Sequence, residues 1–380
     1  MTADRDRSGE PLLHIVTAAP WRMALAAGSV VPPSLVADGF VHLSAASQVA
    51  LPANRLFAGR DDLLLAVVDP ARLPSPLRWE PGVPTDPSSM RFPHLYDPLP
   101  VDAVTSVVPW RPGADGAFIE PTGLPACDDP AARARAFDRS LAERRAAAVL
   151  PIAGGVAVLD PRFPSSWEHN GGWVADAGTV GIDTIVADLD RVLGGAGCAH
   201  RRVVLDDGGV ATALADRGWE VNEERLMVLA PDEIVPPGPS PVRAVAGEAM
   251  HDLRSASWRR DIPGISDESV ADLVGREAVA DAVLRIVDLA VLGPDGAPIA
   301  GTQLRIDGAT AAVEAVMTAP DARGHGHATS LVADAIRRAR AAGCDVVWLL
   351  AAADDWPKTW YARLGFQEVA TSWSAHTTPT

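Results

Sequence analysis

The sequence predicts an α+β multidomain protein, in which a β-rich N-terminal domain is followed by two mixed α/β modules. Short apolar stretches of strand length alternate with amphipathic stretches of helix length along the 380 residues. Two segments rich in Pro, Gly and Asp, 111–130 and 231–241, interrupt this pattern and indicate linkers. A chain of this length can form two or three domains with sizeable cores.

Composition limits the classes of partner. With 49 acidic against 33 basic residues, the formal charge is −16, which disfavours nucleic acid and anionic membranes and favours cationic or amine substrates. The three cysteines are scattered without a C-x-x-C pair, so we expect reduced thiols and no metal site. The N-terminus has no apolar signal region and no long apolar run follows, which indicates a cytoplasmic protein without a membrane span.

The first domain, 11–110, follows a flexible tail at 1–10. Its predicted elements are a strand at Leu12–Val16, a helix at Trp21–Ala27, and strands at Phe40–Ser44, Leu63–Val68 and near Ala103–Val108.

Histidines stand out in this domain because they lie in apolar, strand-like surroundings. The segments HIV, GFVHLS, NRLFAGRDDL and FPHLY resemble the domain of unknown function 952, a small bacterial family grouped by fold with the ADP-ribosyltransferases. The resemblance implies an ADP-ribosyltransferase-like β-rich domain with a site for an NAD-like or phosphorylated ligand. Its candidate residues are His14, His42, Ser44, His94 and Tyr96.

A structural role for these histidines is the alternative, since buried histidines often satisfy backbone groups. Glu80 is the nearest candidate for a catalytic acid. The three histidines are not spaced as local metal ligands, so a metal site would require the fold to gather them.

The middle module, 131–230, contains an internal repeat. The stretch 197–221 follows the same pattern as 343–369, namely Gly-Cys, an apolar strand, and a helix that ends at glycine. The middle copy has Leu214 where the second copy has Tyr361, and no glycine loop with the matching arginine precedes it. We therefore expect a degenerate copy of the C-terminal module.

The C-terminal module carries the most specific motif. An apolar strand ends at Val316-Met317 and leads through the loop 323–328 (RGHGHA) into an amphipathic helix at Thr329–Ala342, which Gly343 ends. A glycine loop at a helix N-terminus presents free N–H groups to an anion. A dinucleotide-binding fingerprint is excluded because Thr329 occupies its third glycine position, and a P-loop because the chain's lysine lies well downstream.

The segments after this helix complete the pattern. A strand at Asp345–Ala352 leads into Asp354-Asp355-Trp356-Pro357, which indicates an acid-capped helix, and Gly365 ends that helix. The order V-x-x-x-P-x-x-RGxGxA, helix, strand, DWP and WYxRLGF resembles the C-terminal half of the GNAT N-acetyltransferase superfamily over 242–371, leaving a tail at 372–380. The resemblance implies a central, mostly antiparallel sheet, acetyl-CoA as donor, and a small-molecule or protein amine as acceptor.

The resemblance also assigns roles to residues. Tyr361 matches the general acid that protonates the CoA thiolate, and the strand backbone at Val316-Met317 would bind pantetheine. We predict Glu314 as the general base, because period two places Glu314 and Val316 on one face of a strand. The predicted donor-binding residues are Val316, Met317, Arg323, Gly324, His325, Gly326, His327, Ala328 and Thr329.

Three matters remain open at this stage. The segments 258–261 and 267–268 are expected on the acceptor side, whereas 167–170 is predicted as a solvated loop, with a reach into the neighbouring cleft as the alternative. The chain could bind acyl-CoA as a sensor without turnover, or its main activity could be NAD-related and lie in the first domain. The sequence leaves open the acceptor amine and the oligomeric state, a homodimer included.

Overall fold

The computed structural model describes residues 10–83, 86–175 and 177–378. Residues 1–9 of the predicted N-terminal tail and 379–380 of the predicted C-terminal tail lie outside the described residues.

The N-terminal region is β-rich, as its apolar strand-length segments predict. Its elements are β1 (Leu12–Thr17), α1 (Ala18–Ala27), β2 (Ser29–Val30), α2 (Pro33–Ala37), β3 (Val41–His42), α3 (Ala46–Leu56), β4 (Leu63–Val68), β5 (Arg78–Pro81), β6 (Arg91–Leu95), β7 (Leu99–Pro100) and β8 (Val104–Trp110). They form the sheets β1-β4-β8 and β3-β6-β5 and the pair β2-β7. The strand predicted at Phe40–Ser44 is shorter than expected, because only β3 pairs with β6 while Ser44 forms an isolated bridge to Leu13.

The rest of the chain forms alternating helices and strands. The middle elements are α4 (Pro130–Arg145), β9 (Ala148–Ile152), β10 (Gly155–Leu159), β11 (Gly171–Val174), α5 (Ile182–Leu189), β12 (Arg201–Leu205), α6 (Gly208–Ala215) and β13 (Glu220–Leu229). The C-terminal elements are β14 (Arg243–Val245), α7 (His251–Asp261), α8 (Asp267–Gly275), α9 (Glu277–Ala280), β15 (Arg285–Leu292), β16 (Pro298–Asp307), β17 (Thr310–Thr318), α10 (His327–Ala341), β18 (Val346–Ala352), α11 (Pro357–Arg363) and β19 (Phe366–Thr377).

One eleven-stranded sheet joins the middle and C-terminal regions, in the order β14-β15-β16-β17-β18-β13-β19-β12-β11-β10-β9. Only the pairs β17-β18 and β11-β12 are parallel, so the predicted mostly antiparallel sheet is confirmed. We call β14–β18 the C-terminal half-sheet and β9–β12 the middle half-sheet. Between them, β13 pairs with β18 and β19 pairs with β12, so each region places its last strand against the other region's sheet.

This exchange changes the meaning of two sequence predictions. The segment 231–241 connects β13 to β14 within one sheet, so it does not separate two independent sheets. Residues 372–377, predicted as part of a tail, belong to β19, where Trp373 and Ala375 pack into the core under α5 and α6. A strand of twelve residues is needed here because β19 pairs along both β13 and β12.

The repeat detected in the sequence corresponds to matching elements. In both regions a parallel strand pair is linked by a helix, α5 in the middle and α10 at the C-terminus, and a short helix follows the second strand. Gly197, Gly218, Gly343 and Gly365 all have positive φ and end the corresponding turns. Glycine suits these four positions because it adopts left-handed backbone without steric cost.

Helices cover both faces of the sheet. On the face that we call the α10 face, α10 and α11 pack on the C-terminal half-sheet, and α5 and α6 pack on the middle one. On the opposite face, the α4 face, Phe137 and Leu141 of α4 pack against Leu226 and Trp348. Arg133 anchors α4 through bonds to Asp345, with nitrogen–oxygen distances of 2.7 and 3.1 Å.

The N-terminal region docks on this assembly through buried polar contacts. The Trp21 indole Nε1 donates to Asp307 Oδ1 at 2.7 Å, and the same carboxylate forms a buried ion pair with Arg144. Arg72 donates to the Gly343 carbonyl oxygen at 2.8 Å. One apolar core therefore runs from the N-terminal sheets through α4 to the C-terminal half-sheet. Among the described helices, none is long and apolar enough to cross a membrane.

Candidate active site

A cleft of about 520 Å³ lies beside the C-terminal ends of β17 and β18. The two strands pair only from Thr310 to Ala312 on β17 and diverge beyond that point. The cleft is lined by residues from β17, the glycine loop, α7 and α11, namely Ser257, Arg260, Asp261, Val316, Met317, Thr318, Ala322, Arg323, Gly324, Gly326, His327, Ala328, Thr329, Trp356, Pro357, Trp360 and Tyr361. The fold thus brings together most of the predicted donor-binding residues with Tyr361.

A β-bulge shapes the β17 wall of the cleft. Ala315 has φ +52°, and the register moves from Glu314 opposite Gln303 to Met317 opposite Gly301, so β17 carries one extra residue. The prediction that Glu314 and Val316 share a face was wrong, because the extra residue breaks the period-two alternation. Val316 packs on the α10 side, whereas Glu314 lies on the α4 face, beyond the lining of the cleft.

The glycine loop delivers the N-terminus of α10 to the cleft. Gly324 and Gly326 have φ of +80° and +77°, and Gly326 is the N-cap residue without a side-chain cap. The first hydrogen bond of the helix runs from Ser330 N to Gly326 O, so the preceding N–H groups have no partner within the helix. Together with the helix dipole, they form a site for an anionic group.

Side chains of the loop form hydrogen bonds to neighbouring groups of the chain. Arg323 Nε donates to the Thr318 carbonyl oxygen at 3.4 Å, and His325 Nδ1 donates to the Ala322 carbonyl oxygen at 3.3 Å. His327 Nδ1 lies 2.7 Å from Ser240 Oγ. Arg323 and His327 also line the cleft, so the loop offers both backbone amides and side chains to an anion.

The segment 231–241 crosses the same helix end. Ser240 N donates to Ser330 Oγ at 3.0 Å, and a Cβ built on Gly326 would lie 2.8 Å from Pro239 Cγ. Glycine at position 326 is therefore required twice, by its positive φ and by the close approach of Pro239.

Tyr361 is nearly buried on α11, with its ring 4.7 Å from Trp360 and 5.9 Å from Phe366 between centroids. Burial raises the pKa of the Tyr361 hydroxyl, and the negative charge of Glu314 adds to this rise. The hydroxyl thus keeps its proton through the neutral range, as a general acid must. The predicted acid cap of α11 was wrong, because Trp356 is the N-cap residue and has no side-chain cap bond.

Glu314 has the electrostatics of a base that works near neutrality. Burial raises its pKa to about 7, although the positive charge of Arg305 opposes the rise. Carboxylate and hydroxyl groups with pKa values raised in this way are common at catalytic sites.

Comparison with known families agrees with this geometry. Residues 249–366 match the acetyltransferase (GNAT) family, and residues 15–107 match the protein of unknown function family DUF952. The chain thus joins a region that matches DUF952 to a region that matches the GNAT acetyltransferase family.

Solved structures resemble parts of the chain. A Caulobacter crescentus protein is 34% identical and covers 29% of this chain and 93% of its own, with a TM-score of 0.26. A GCN5-related N-acetyltransferase from Kribbella flavida is 18% identical, with coverage of 62% and 91% and a TM-score of 0.44. A functionally unknown conserved protein from Staphylococcus epidermidis is 11% identical, with coverage of 60% and 93% and a TM-score of 0.48. Among curated proteins, no match was found.

The DUF952 domain gathers most of the predicted N-terminal site. His42 and His94 pair across β3 and β6 with ring centroids 5.0 Å apart, and Phe40 stacks on His94 at 3.9 Å. The Tyr96 ring lies 5.4 Å from Phe40. His14 approaches from the other sheet, where its Nδ1 donates to the His42 carbonyl oxygen at 2.9 Å.

Glu80 joins this cluster. The Tyr96 hydroxyl donates to Glu80 Oε2 at 2.6 Å, and His94 Nδ1 lies 3.5 Å from the same oxygen. The bond from Tyr96 lowers the pKa of Glu80, and burial lowers the pKa of His94. Ser44 is buried and exchanges backbone bonds with Leu13, so it supports β1 and is not gathered around Glu80.

Two features of the structure were not predicted from the sequence. The bulge at Ala315 has no sequence signal, because alanine rarely adopts positive φ. The loop 167–170, predicted as solvated, is partly buried, since His169 and Asn170 are enclosed and Glu168 pairs with Arg276 at 3.2 Å. The loop contacts Arg276 of the C-terminal region, but none of its residues lines the cleft, so the alternative reach into that cleft was wrong as well.

Proposed function

We propose that the GNAT domain transfers acetyl from acetyl-CoA to a primary amine by direct attack. The carrying observation is the cleft itself, where free amides at the start of α10, the bulged strand β17 and the Tyr361 ring meet. The amides of α10 suit the pyrophosphate of the donor, β17 suits its pantetheine arm, and Tyr361 suits its thioester.

The cleft fits such a donor by chemistry. A phosphate at the α10 N-terminus would accept bonds from backbone N–H groups, and no atom lies within 4 Å of the space that a Cβ on Gly324 would fill. The first turn of α10 carries no acidic side chain that would repel it. The backbone of Val316 and Met317 would position the pantetheine arm and the acetyl carbonyl.

Two residues, Glu314 and Tyr361, would carry out the two proton transfers that accompany acetyl transfer. The amine nitrogen attacks the carbonyl carbon of the thioester, and the carbon–sulfur bond breaks. Glu314 takes the amine proton, directly or through one water, and Tyr361 donates its proton to the departing sulfur. The donor approaches from the cleft, whereas Glu314 faces the α4 side, so we infer that the amine arrives from that side.

The test is calorimetric titration of acetyl-CoA into the wild-type protein, Ala328→Glu and Ala328→Gln. Position 328 lines the cleft in the first turn of α10, where an added carboxylate favours the helix but repels phosphate. We expect micromolar binding in the wild type, at least a tenfold loss in Ala328→Glu, and near wild-type binding in Ala328→Gln.

Equal binding by all three proteins would show that the phosphates of acetyl-CoA do not bind at the N-terminus of α10. Binding that responds as expected, without CoA release from any amine tested, would instead identify an acyl-CoA sensor.

A second function is favoured by one observation in the DUF952 domain. His94 is 1% exposed and stacks on Phe40, and neither of its ring nitrogens forms a hydrogen bond, with Glu80 Oε2 3.5 Å from Nδ1. We propose that this cluster binds a small NAD-like or phosphorylated ligand, as the likeness to ADP-ribosyltransferases implies. Titration of NAD and ADP-ribose into the full-length protein and into Tyr96→Phe tests this, and no binding at millimolar ligand would leave the cluster structural.

A further inference from the structure

Three aromatic side chains line the cleft on the side of α11. They are Trp356, Trp360 and Tyr361, and we call them the aromatic row. The ring centroids lie 6.2 Å apart between Trp356 and Trp360, and 4.7 Å apart between Trp360 and Tyr361. The proposed proton transfers use only Tyr361, which leaves two large rings of the cleft wall without an assigned role.

The aromatic row runs from the core to solvent. Tyr361 is 8% exposed, and Trp360 is partly buried against the core of the α10 face, whereas Trp356 is 67% exposed. Tyr361 therefore lies at the closed end of the cleft and Trp356 at its open end. Trp356 leaves most of an indole ring in water beside the cleft, and covering a ring of this size with a ligand is favourable.

The backbone of Trp356 is held in place although its side chain is exposed. Trp356 N donates to Asp355 Oδ1 at 2.7 Å, and the Trp356 carbonyl oxygen accepts from Thr359 N at 3.1 Å and from Trp360 N at 3.3 Å. The ring is thus attached to the ordered start of a helix. A ligand that stacks on it does not have to order a loop, which lowers the entropic cost of binding.

The repeat places these rings only in the half that has the donor loop. Counted from the glycine that ends each short helix, Gly209 and Ala213 of the middle half match Trp356 and Trp360. The middle half thus has the two smallest residue types where the C-terminal half has its two exposed or partly exposed tryptophans. The rings accompany the donor loop, as expected for side chains that contact the donor.

The order of the donor's parts decides which of them meets Trp356. Acetyl-CoA consists in sequence of a thioester, a pantetheine arm, a pyrophosphate and an adenosine that carries a 3′-phosphate. In the proposed function, Tyr361 and β17 face the thioester and the arm, and the amides at the start of α10 face the pyrophosphate. The adenosine therefore continues toward the open end of the cleft, where Trp356 lies.

The chemistry of this end suits an adenosine. The face of an indole ring stacks on a nucleobase, because both are flat and polarisable. Arg323 lines the same cleft and, within the described part of the chain, forms no ion pair, so its charge is available to a phosphate.

We propose that Trp356 stacks on the adenine of the donor and makes the protein selective for acetyl carried on free coenzyme A. A thioester on the 4′-phosphopantetheine of a carrier protein has the same arm but no adenine, so it lacks this contact. This inference rests on the proposed acetyl transfer. It assigns donor selectivity to a residue that does not touch the reacting atoms.

The experiment separates the donor into its parts. Calorimetry measures acetyl-CoA binding to the full-length protein. Competition against acetyl-CoA measures S-acetyl-4′-phosphopantetheine, which lacks the nucleotide, and adenosine 3′,5′-bisphosphate, which lacks the arm. The variants are Trp356→Ala, Trp356→Phe and the control Thr359→Ala, at an exposed residue of the same helix that does not line the cleft.

The expected losses follow the adenine. In Trp356→Ala, the affinities for acetyl-CoA and for adenosine 3′,5′-bisphosphate fall at least about fivefold, whereas S-acetyl-4′-phosphopantetheine binds as in the wild type. Trp356→Phe recovers most of the loss because it keeps an aromatic face. Thr359→Ala binds all three molecules as the wild type does.

Two sets of outcomes distinguish this inference from the proposed function. Wild-type affinity for acetyl-CoA in Trp356→Ala, or an equal fractional loss for acetyl-CoA and S-acetyl-4′-phosphopantetheine, would overturn the role of Trp356 and leave acetyl transfer in place. Absence of acetyl-CoA binding in the wild type would overturn the proposed function and this inference with it.

Discussion

The two half-sheets have the same order of elements but differ at the helix that follows the first parallel strand. In the C-terminal half, α10 begins at Gly326 with φ +77° and has no acid in its first turn. In the middle half, α5 begins at Gly181 with φ −65° and carries Asp183 in its first turn, where the carboxylate lies 2.8 Å from Arg217. The middle helix thus has an acidic side chain in the first turn, where α10 has none.

The strands before these helices differ as well. β17 has nine residues and a bulge. In contrast, β11 has four residues, all of them buried, and it pairs with β12 without a register shift. On the short helix, the middle half has buried Leu214 where the C-terminal half has Tyr361. The comparison teaches that a repeated architecture does not repeat the chemistry, which depends on a few local features.

The first prediction compares the contribution of a buried ion pair in the C-terminal half with that of an exposed ion pair in the middle half. Asp307→Asn removes the charge that Arg144 faces in a buried pair, so we expect the free energy of unfolding to fall by about 3–5 kcal/mol. Asp190→Asn in the middle region, where the Asp190 side chain is 54% exposed beside Arg201, should cost less than about 1 kcal/mol. Urea unfolding of both variants measures the difference, and equal losses would contradict it.

The second prediction tests the chemistry of the short helices. Tyr361→Phe keeps the ring contacts but removes the proton donor, so we expect kcat to fall by about 100-fold with acetyl-CoA affinity retained. Leu214→Met at the matching position should leave kcat unchanged. Steady-state kinetics decides, and an undiminished rate in Tyr361→Phe would exclude Tyr361 from the mechanism.

The third prediction is a pH profile. Burial raises the pKa of Glu314 to about 7, and only the ionised form accepts a proton, so kcat/KM should fall by about tenfold per pH unit below about pH 7 and level off above it. Glu314→Gln should be slow and lack this slope. A slope that persists in the variant would assign it to another group.

The smallest effect is expected at the middle helix. Asp183→Asn removes the acid from the first turn of α5 but creates neither a glycine loop nor a bulge. Calorimetry should therefore find one acetyl-CoA per chain with affinity changed by less than about twofold. A second binding event would show that Asp183 alone blocks the middle half and would weaken the contrast between the halves.

The sequence by itself determined the local elements and the donor loop. The glycines of the loop and the apolar periodicity of α10 determine where this helix begins, and so which backbone amides stay free. The four paired glycines of the repeat all adopt positive φ. Local propensity and periodicity suffice for such features, because the contacts that form them are close in sequence.

Only the tertiary structure decided how these elements combine. The exchange of β13 and β19 turns two expected modules into one sheet, and the bulge at Ala315 places Val316 on the face opposite Glu314. The partly buried loop at Glu168 and the docking of Trp21 on Asp307 also depend on contacts between distant residues. One extra residue in a strand reverses every face after it, and no pattern along the chain records which distant strand will be the partner.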